Sequence, residues 1–278
     1  MAIGAFKPTV WTAKLIVALG NAHVYANCCN KDYEGEISAA GDAVRIGTIG
    51  DITVADYTPN STSITVQQLY GADQTLVIDQ CKYFAFGVDD VDKRQAKGDF
   101  MPQAMNRAAW ALAESQDDYL AALLVAGTAS ANIRTTASCG TGASDADMYE
   151  VLVDLGVLLS AANVPKNDRW CVLAPTHEGL LRKDPRFVSF GTAQTQTALK
   201  GEPIGRAAGF SLYVSNNVPS GTYVVAGDKS ACTLAEQINK VEAYRPDLTF
   251  TDAVKGLHLY GAKVTQPNRL AYCICTIA

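Results

Sequence analysis

Between Tyr33 and Gln80 apolar residues recur in short alternating stretches: Val44 with Ile46, Ile52 with Val54, and Ile64 with Val66. That period of two is the one strands require. Gly41-Asp42, Gly47, Gly50-Asp51 and Thr58-Pro59-Asn60-Ser61 interrupt the stretches with turn chemistry. The pattern predicts an extended hairpin whose tip falls near Pro59 to Thr62. The segment contains no lysine, and its seven carboxylates (Glu34, Glu36, Asp42, Asp51, Asp56, Asp73 and Asp79) against Arg45 leave it at −6. Two strands on their own build no core. A long acidic hairpin of this kind must lie on something else.

The remainder of the 278-residue chain can supply a core, since 48% of all residues are hydrophobic. A chain of this length hides about three quarters of its unfolded surface. Charged residues make up only 18%, which suits a protein largely covered by neighbours but also fits many enzymes. The net charge of −5 argues against the concentrated basic patch that non-specific DNA binding needs. No run reaches the 18 or so apolar residues of a membrane span. Leu15 to Leu19, after Lys7 and Lys14, is too short for a signal-peptide core, so a soluble cytoplasmic chain is expected. Its eight cysteines include no C-x-x-C pair, which leaves reduced, mostly buried thiols as the expectation.

Along the chain, residues 1–32 read as an arm. Its apolar run from Leu15 to Leu19 fits a short helix stopped near Gly20-Asn21, or a short buried strand. Lys82 to Val88 reads as a strand with Phe84, Phe86 and Val88 on one face. The Asp89-Asp90-Val91-Asp92 cluster that follows suits a helix start better than a metal site, because no second ligand cluster supports it. The strongest helical signal spans Pro102 to Ala126, with Met105, Ala109, Leu112, Gln116, Tyr119 and Leu123 at steps of three and four. Such a helix is roughly 37 Å long.

Residues 128–144 are small and polar and read as a linker. A second helix is expected from Asp145 to Ala162, with Met148, Val151, Leu152, Leu155, Leu158 and Leu159 as its stripe. Trp170 to Ala174 reads as a buried strand, Pro175 opens a short helix, and 188–205 resembles a mobile loop. Strands follow at Phe210 to Ser215 and Tyr223 to Ala226. Gly256 to Val264 and Arg269 to Ile277 alternate around Gln266-Pro267-Asn268, which predicts a returning hairpin beside the strand at 82–88.

Catalytic signatures are absent from the sequence. It holds no phosphate loop, dinucleotide fingerprint or nucleophile elbow. His23, His177 and His258 are scattered, and His177 beside Glu178 reads as a surface residue of a helix. No catalytic residue, metal ligand or cofactor-binding residue is therefore assigned, and a structural role is expected.

The order of arm, acidic hairpin, strand, long helix, inserted α/β domain and returning hairpin resembles the α+β fold shared by tailed-phage and herpesvirus capsid proteins, named for the Hong Kong ninety-seven phage. Local sequence carries the likeness further. Asn30-Lys31-Asp32-Tyr33-Glu34-Gly35-Glu36-Ile37, followed by Gly41-Asp42-Ala43-Val44-Arg45-Ile46, is similar to the segment leading into the extended loop of phage coat proteins. Ile78-Asp79-Gln80, Tyr83-Phe84-Ala85-Phe86 and Val88-Asp89-Asp90-Val91-Asp92 resemble their strand entering the spine helix.

The resemblance implies a major capsid protein that self-assembles into the pentamers and hexamers of an icosahedral or prolate head around double-stranded DNA. It implies an N-terminal arm (1–32), an extended loop (33–80) and a peripheral domain with the spine helix (81–144 and 241–278). Residues 145–240 would form an inserted axial domain. Loop residues Glu34, Glu36, Asp42, Arg45, Asp51, Asp56, Pro59 and Asn60 would then touch a neighbouring subunit, with Lys93, Arg94, Lys97 and Arg107 as candidate partners.

Some members of this fold join a loop lysine to a neighbour's asparagine, chemistry this lysine-free loop lacks. The short arm implies a separate scaffolding protein; a portal and a decoration protein are further expected partners. Neither a membrane nor a specific nucleic-acid sequence is expected to be bound. Assembly is expected in a host bacterial cytoplasm and the mature location in the virion. A bacterial nanocompartment shell is the alternative within the fold. A soluble α/β hydrolase or transferase using His177 and Asp184 is the alternative outside it.

Overall fold

A computed structural model describes residues 23–32, 43–49, 52–59, 63, 66–68, 71–89, 100–140, 145–184, 205–246 and 251–277. The helices are α1 (Tyr25–Cys28, one turn), α2 (Phe100–Ala126), α3 (Met148–Ala161) and α4 (Pro175–Lys183). The strands are β1 (Ala43–Ile49), β2 (Gly71–Val77), β3 (Gln80–Asp89), β4 (Ile133–Cys139), β5 (Arg169–Leu173), β6 (Arg206–Ala207), β7 (Phe210–Val214), β8 (Tyr223–Asp228), β9 (Cys232–Tyr244), β10 (Thr251–Val264) and β11 (Leu270–Ile277). They form a two-stranded hairpin β1-β2, a three-stranded sheet β3-β10-β9 and a six-stranded sheet β4-β11-β8-β5-β7-β6.

The six-stranded sheet is covered on both faces, which is why its inner strands read as unbroken apolar runs. Cys171 and Leu173 of β5, Val224 and Ala226 of β8, and Ala271, Cys273 and Cys275 of β11 pack with Val151, Leu152, Leu155 and Leu159 of α3 and Leu181 of α4. Their alternates Trp170, Val172, Val225 and Leu270 face the other way, onto Leu120, Ala121 and Leu124 of α2. Arg169 closes the end of α3: it donates to the carbonyls of Gly156, Val164 and Pro165 at 3.2, 2.6 and 2.8 Å. Its guanidinium thereby ties the last turn of the helix to the loop that follows it.

α2 serves both sheets. Its first half lays Met105 and Ala109 on Phe84, Phe86, Val88, Val241 and Val254 of the three-stranded sheet. Its second half belongs to the core just described. The expected stripe holds at Met105, Ala109, Leu112 and Gln116, then shifts by one residue. Leu120 and Leu124 are fully buried, whereas Tyr119 and Leu123 are half-buried.

Several expectations need correction. Residues 128–144 are not a linker: 133–139 form β4, an edge strand parallel to β11. Only Ala137 and Cys139 of β4 enter the core, so its outward threonines and serine disguise it. The returning hairpin does not form either. β10 pairs with β3, as expected, and with β9, so both its edges are taken. The turn at Pro267–Arg269 instead hands the chain to the other sheet, where β11 lies between β4 and β8. β9 was not anticipated at all. In the hairpin, the ladder is 43–49 with 71–77, while 52–58 and 66–68 carry no ladder. The apolar run at 15–19, Asp90-Val91-Asp92 and the loop at 188–204 lie outside the described residues.

Candidate functional site

The hairpin is seated on the face of the three-stranded sheet opposite α2. Antiparallel pairing runs from Ala43↔Val77 to Ile49↔Gly71, a register centred on position 60. Alternation then sends Val44, Ile46, Leu76 and Ile78 inward onto Ala235, Leu259 and Leu257. Arg45, Asp73, Thr75 and Val77 point outward and are exposed.

Beyond this seat the described residues 52–59, 63 and 66–68 are exposed. The Thr53 amide donates to the Gln67 side-chain oxygen at 3.0 Å, a pair in the same register as the ladder. Around that link, Ile52, Val54, Tyr57 and Val66 are 67%, 92%, 63% and 85% exposed. Large apolar side chains exposed close together along the hairpin mark an interaction surface. Next to the hairpin's seat, Tyr83, Leu257, Lys255 and Tyr244 help to line a cavity of about 450 Å3. Tyr83 is 78% exposed, and Lys255 lies over the Tyr244 ring and reaches Glu242 at 3.1 Å.

Of the loop residues expected to meet a neighbour, Arg45, Asp56 and Pro59 are exposed on the hairpin. Glu34, Glu36, Asp42, Asp51 and Asn60 lie outside the described residues, as do Lys93, Arg94 and Lys97. Arg107 is exposed on the solvent face of α2, across the three-stranded sheet from the hairpin seat. His177 is not a surface residue: it is fully buried, and its Nε2 donates to the Cys275 carbonyl at 3.2 Å. Burial holds its imidazole below the usual range. A side chain sealed this way is poorly placed to serve a hydrolase.

All eight cysteines are free thiols and only Cys81 is exposed. Cys273 and Cys275 share a face with their sulfurs 3.6 Å apart. The hydrogen bond from Cys275, helped by Arg134, brings the Cys273 thiol down to about 6 against the effect of burial.

The sequence did not reveal how the arm is fastened. Asp117 of α2 is buried and accepts the Val24 and Ala26 amides at 2.8 and 3.3 Å. Asn30 extends the edge of β9: its amide donates to the Cys232 carbonyl at 2.9 Å and its carbonyl accepts from Leu234 at 2.8 Å. Lys31 reaches Glu236 Oε1 at 2.8 Å, and Gln116 Nε2 donates to Oε2 at 2.8 Å. His23 Nδ1 lies 3.6 Å from Asp117, and His23 Nε2 and His258 Nε2 each lie 3.8 Å from Glu236 Oε2. Burial alone would push the Glu236 carboxyl up, but Lys31, Gln116 and His23 outweigh it and hold it below the usual range.

Comparison with known proteins agrees with this architecture. A family model described as phage capsid protein matches residues 73–273, and the chain belongs to that family. Among solved structures, one from Mycobacterium phage Che8 is 30% identical, covers 90% of each chain and superposes with a TM-score of 0.71. The capsid of cyanophage P-SCSP1u is 17% identical, covering 100% of this chain and 91% of that one, with a TM-score of 0.70. A virus-like particle from Pyrococcus furiosus shares the fold at 11% identity, covering 96% and 98%, with a TM-score of 0.59. No curated protein matches. The fold is that of the tailed-phage capsid proteins, and the chain is a structural component of a phage shell.

Proposed function

We propose that the chain is a major capsid protein whose copies assemble as pentamers and hexamers into the icosahedral or prolate head of a tailed phage, around double-stranded DNA. The observation that carries this reading is the outer half of the hairpin, where Ile52, Val54, Tyr57 and Val66 are left mostly exposed by their own chain. A neighbouring copy covers them, and repetition of the contact by symmetry closes a shell. The exposed patch around Tyr83 and Tyr244 is a second apolar surface open to such a contact.

In this reading α2 with β3, β9 and β10 forms the peripheral layer. The six-stranded sheet with α3 and α4 forms the axial one, so relative to the bounds expected from sequence β4 and β11 move from the peripheral to the axial part and β9 moves the other way. Lys93, Arg94, Lys97 and Arg107 are partners for the acidic hairpin, each exposed pair contributing only about 0–1 kcal/mol. A separate scaffolding protein and a portal direct closure in the host bacterial cytoplasm, and a decoration protein caps the finished head. Purified chains are expected to form capsomers, tubes or shells in light scattering and negative-stain images. A monomer that persists at every salt concentration, with and without scaffold, rules the reading out.

The same reading makes the mature shell non-covalent. No lysine lies between Tyr33 and Gln80, and of the two that flank the segment, Lys31 is held by Glu236 at 2.8 Å. Lys82 sits within β3, at the base of the hairpin rather than its tip. Particles boiled in denaturant with reducing agent are expected to run as one monomer band. A ladder of multimers overturns the expectation.

A further inference from the structure

The cluster beneath the arm holds more titratable groups than fastening requires. Neither ring nitrogen of His23 or of His258 has a hydrogen-bond partner, although the two residues are only 4% and 1% exposed. Buried polar groups are ordinarily satisfied, so a pair of bare imidazoles around one carboxylate needs an explanation. We propose that the cluster is a proton-operated latch, which holds the arm on the body while His258 is neutral and releases it when acid places a proton there.

Charge counting gives the mechanism. Facing the imidazole pair are Glu236 from β9, Asp117 and the neutral Gln116 from α2, and Lys31 from the arm. On its own strand His258 has the Tyr260 ring at 5.2 Å, and Lys82 is its cross-strand partner on β3. Glu236 is engaged by Lys31 and Gln116, and His23 lies between its carboxylate and that of Asp117. A proton on His258 then adds a buried cation beside a carboxylate that Lys31 already engages, an arrangement with a large desolvation cost. His23 and Lys31 can depart with the arm, after which His258 meets water.

The pH window follows from the docked and released states. Burial, with help from His23 and Lys31, pushes the docked His258 down to about 4 despite Glu236. In water an imidazole titrates near 6.5. The released state therefore binds more protons between these values, and docking weakens as pH falls through that range. The depressed Glu236 carboxyl acts in the same direction: its contribution is present at neutral pH and is lost as pH falls through its docked value. The docking equilibrium is expected to lose about two powers of ten across the window.

Hydrogen exchange of the purified full chain, unassembled and corrected for intrinsic rates, tests this whether or not shells form. The Val24, Ala26, Asn30 and Leu234 amides are expected to lose protection by roughly one to two powers of ten between pH 7 and pH 4.5. Amides of β5 should hold theirs. The His258 imidazole resonance is expected to titrate well below a free imidazole and at the pH of arm release. His258→Gln should remove the step. Unchanged protection across the range overturns the latch, as does a His258 titration near 6.5 or a step that persists in folded His258→Gln. Should that variant fail to fold, the wild-type exchange and titration decide alone.

Discussion

Replacing Ile52, Val54, Tyr57 and Val66 together by serine is expected to leave the subunit folded and to abolish its assembly. All four lie on the part of the hairpin that carries no ladder, and each is at least 63% exposed within its own chain. Fully covering a side chain of this size stabilises by about 1.5–3 kcal/mol. Even with partial burial, four of them supply roughly 5 kcal/mol per contact, which is three to four powers of ten in association. The ion pairs open to the same hairpin are worth about 0–1 kcal/mol each, so apolar cover dominates the contact. The thermal midpoint of the isolated subunit should scarcely move, because none of these side chains belongs to its core. Light scattering against the parent at equal concentration reads the assembly, and a melting curve reads the fold. A quadruple variant that assembles like the parent removes the hairpin from the interface. One whose melting transition collapses shows that the segment packs within its own subunit.

The physical reasons for what the sequence disclosed differ from element to element. α2 and α3 were visible because each buries one stripe, and a one-sided stripe leaves a period. β5 was visible as an apolar run because its two faces are both covered, by α3 and α4 on one side and α2 on the other. β4 was not, since an edge strand that buries only Ala137 and Cys139 has neither signal. β11 was recognised as a strand but given the wrong partner. Alternation fixes which face a residue occupies and says nothing about which edge it joins. The hairpin was legible through the same alternation, and its register centres where the turn residues Pro59-Asn60 indicated. The fastening of the arm was not legible. Asp117 follows Gln116 on a stripe that otherwise predicts apolar neighbours, and His23, Glu236 and His258 come from three distant parts of the chain. Only the tertiary fold brings them within 4 Å of one another's charges.

The seat of the hairpin depends on one glycine. Gly261 of β10 lies where the chain leaves β2, and a Cβ there would stand 2.3 Å from the Val77 carbonyl oxygen and 2.9 Å from Ile78 Cα. Both obstacles are backbone, so no rotamer change can make room. Gly261→Ala must lift the end of β2 from the sheet, which partly withdraws Leu76 and Ile78 from Leu259 and Ala235. Overpacking of this kind typically costs about 1–3 kcal/mol. For a chain of this size that lowers the thermal midpoint by roughly 2–4 °C per kcal/mol. Gly179 of α4 is the control, because a Cβ there meets nothing within 4 Å. Gly179→Ala should therefore raise stability slightly, by up to about 1 kcal/mol, as alanine suits a helix better than glycine. The two variants also separate folding from assembly. Lifting the seat changes the direction in which Ile52, Val54, Tyr57 and Val66 are presented, so Gly261→Ala particles should be irregular even at temperatures where the subunit is fully folded. Regular shells from Gly261→Ala with an unchanged melting curve would show that the hairpin does not take its bearing from this contact.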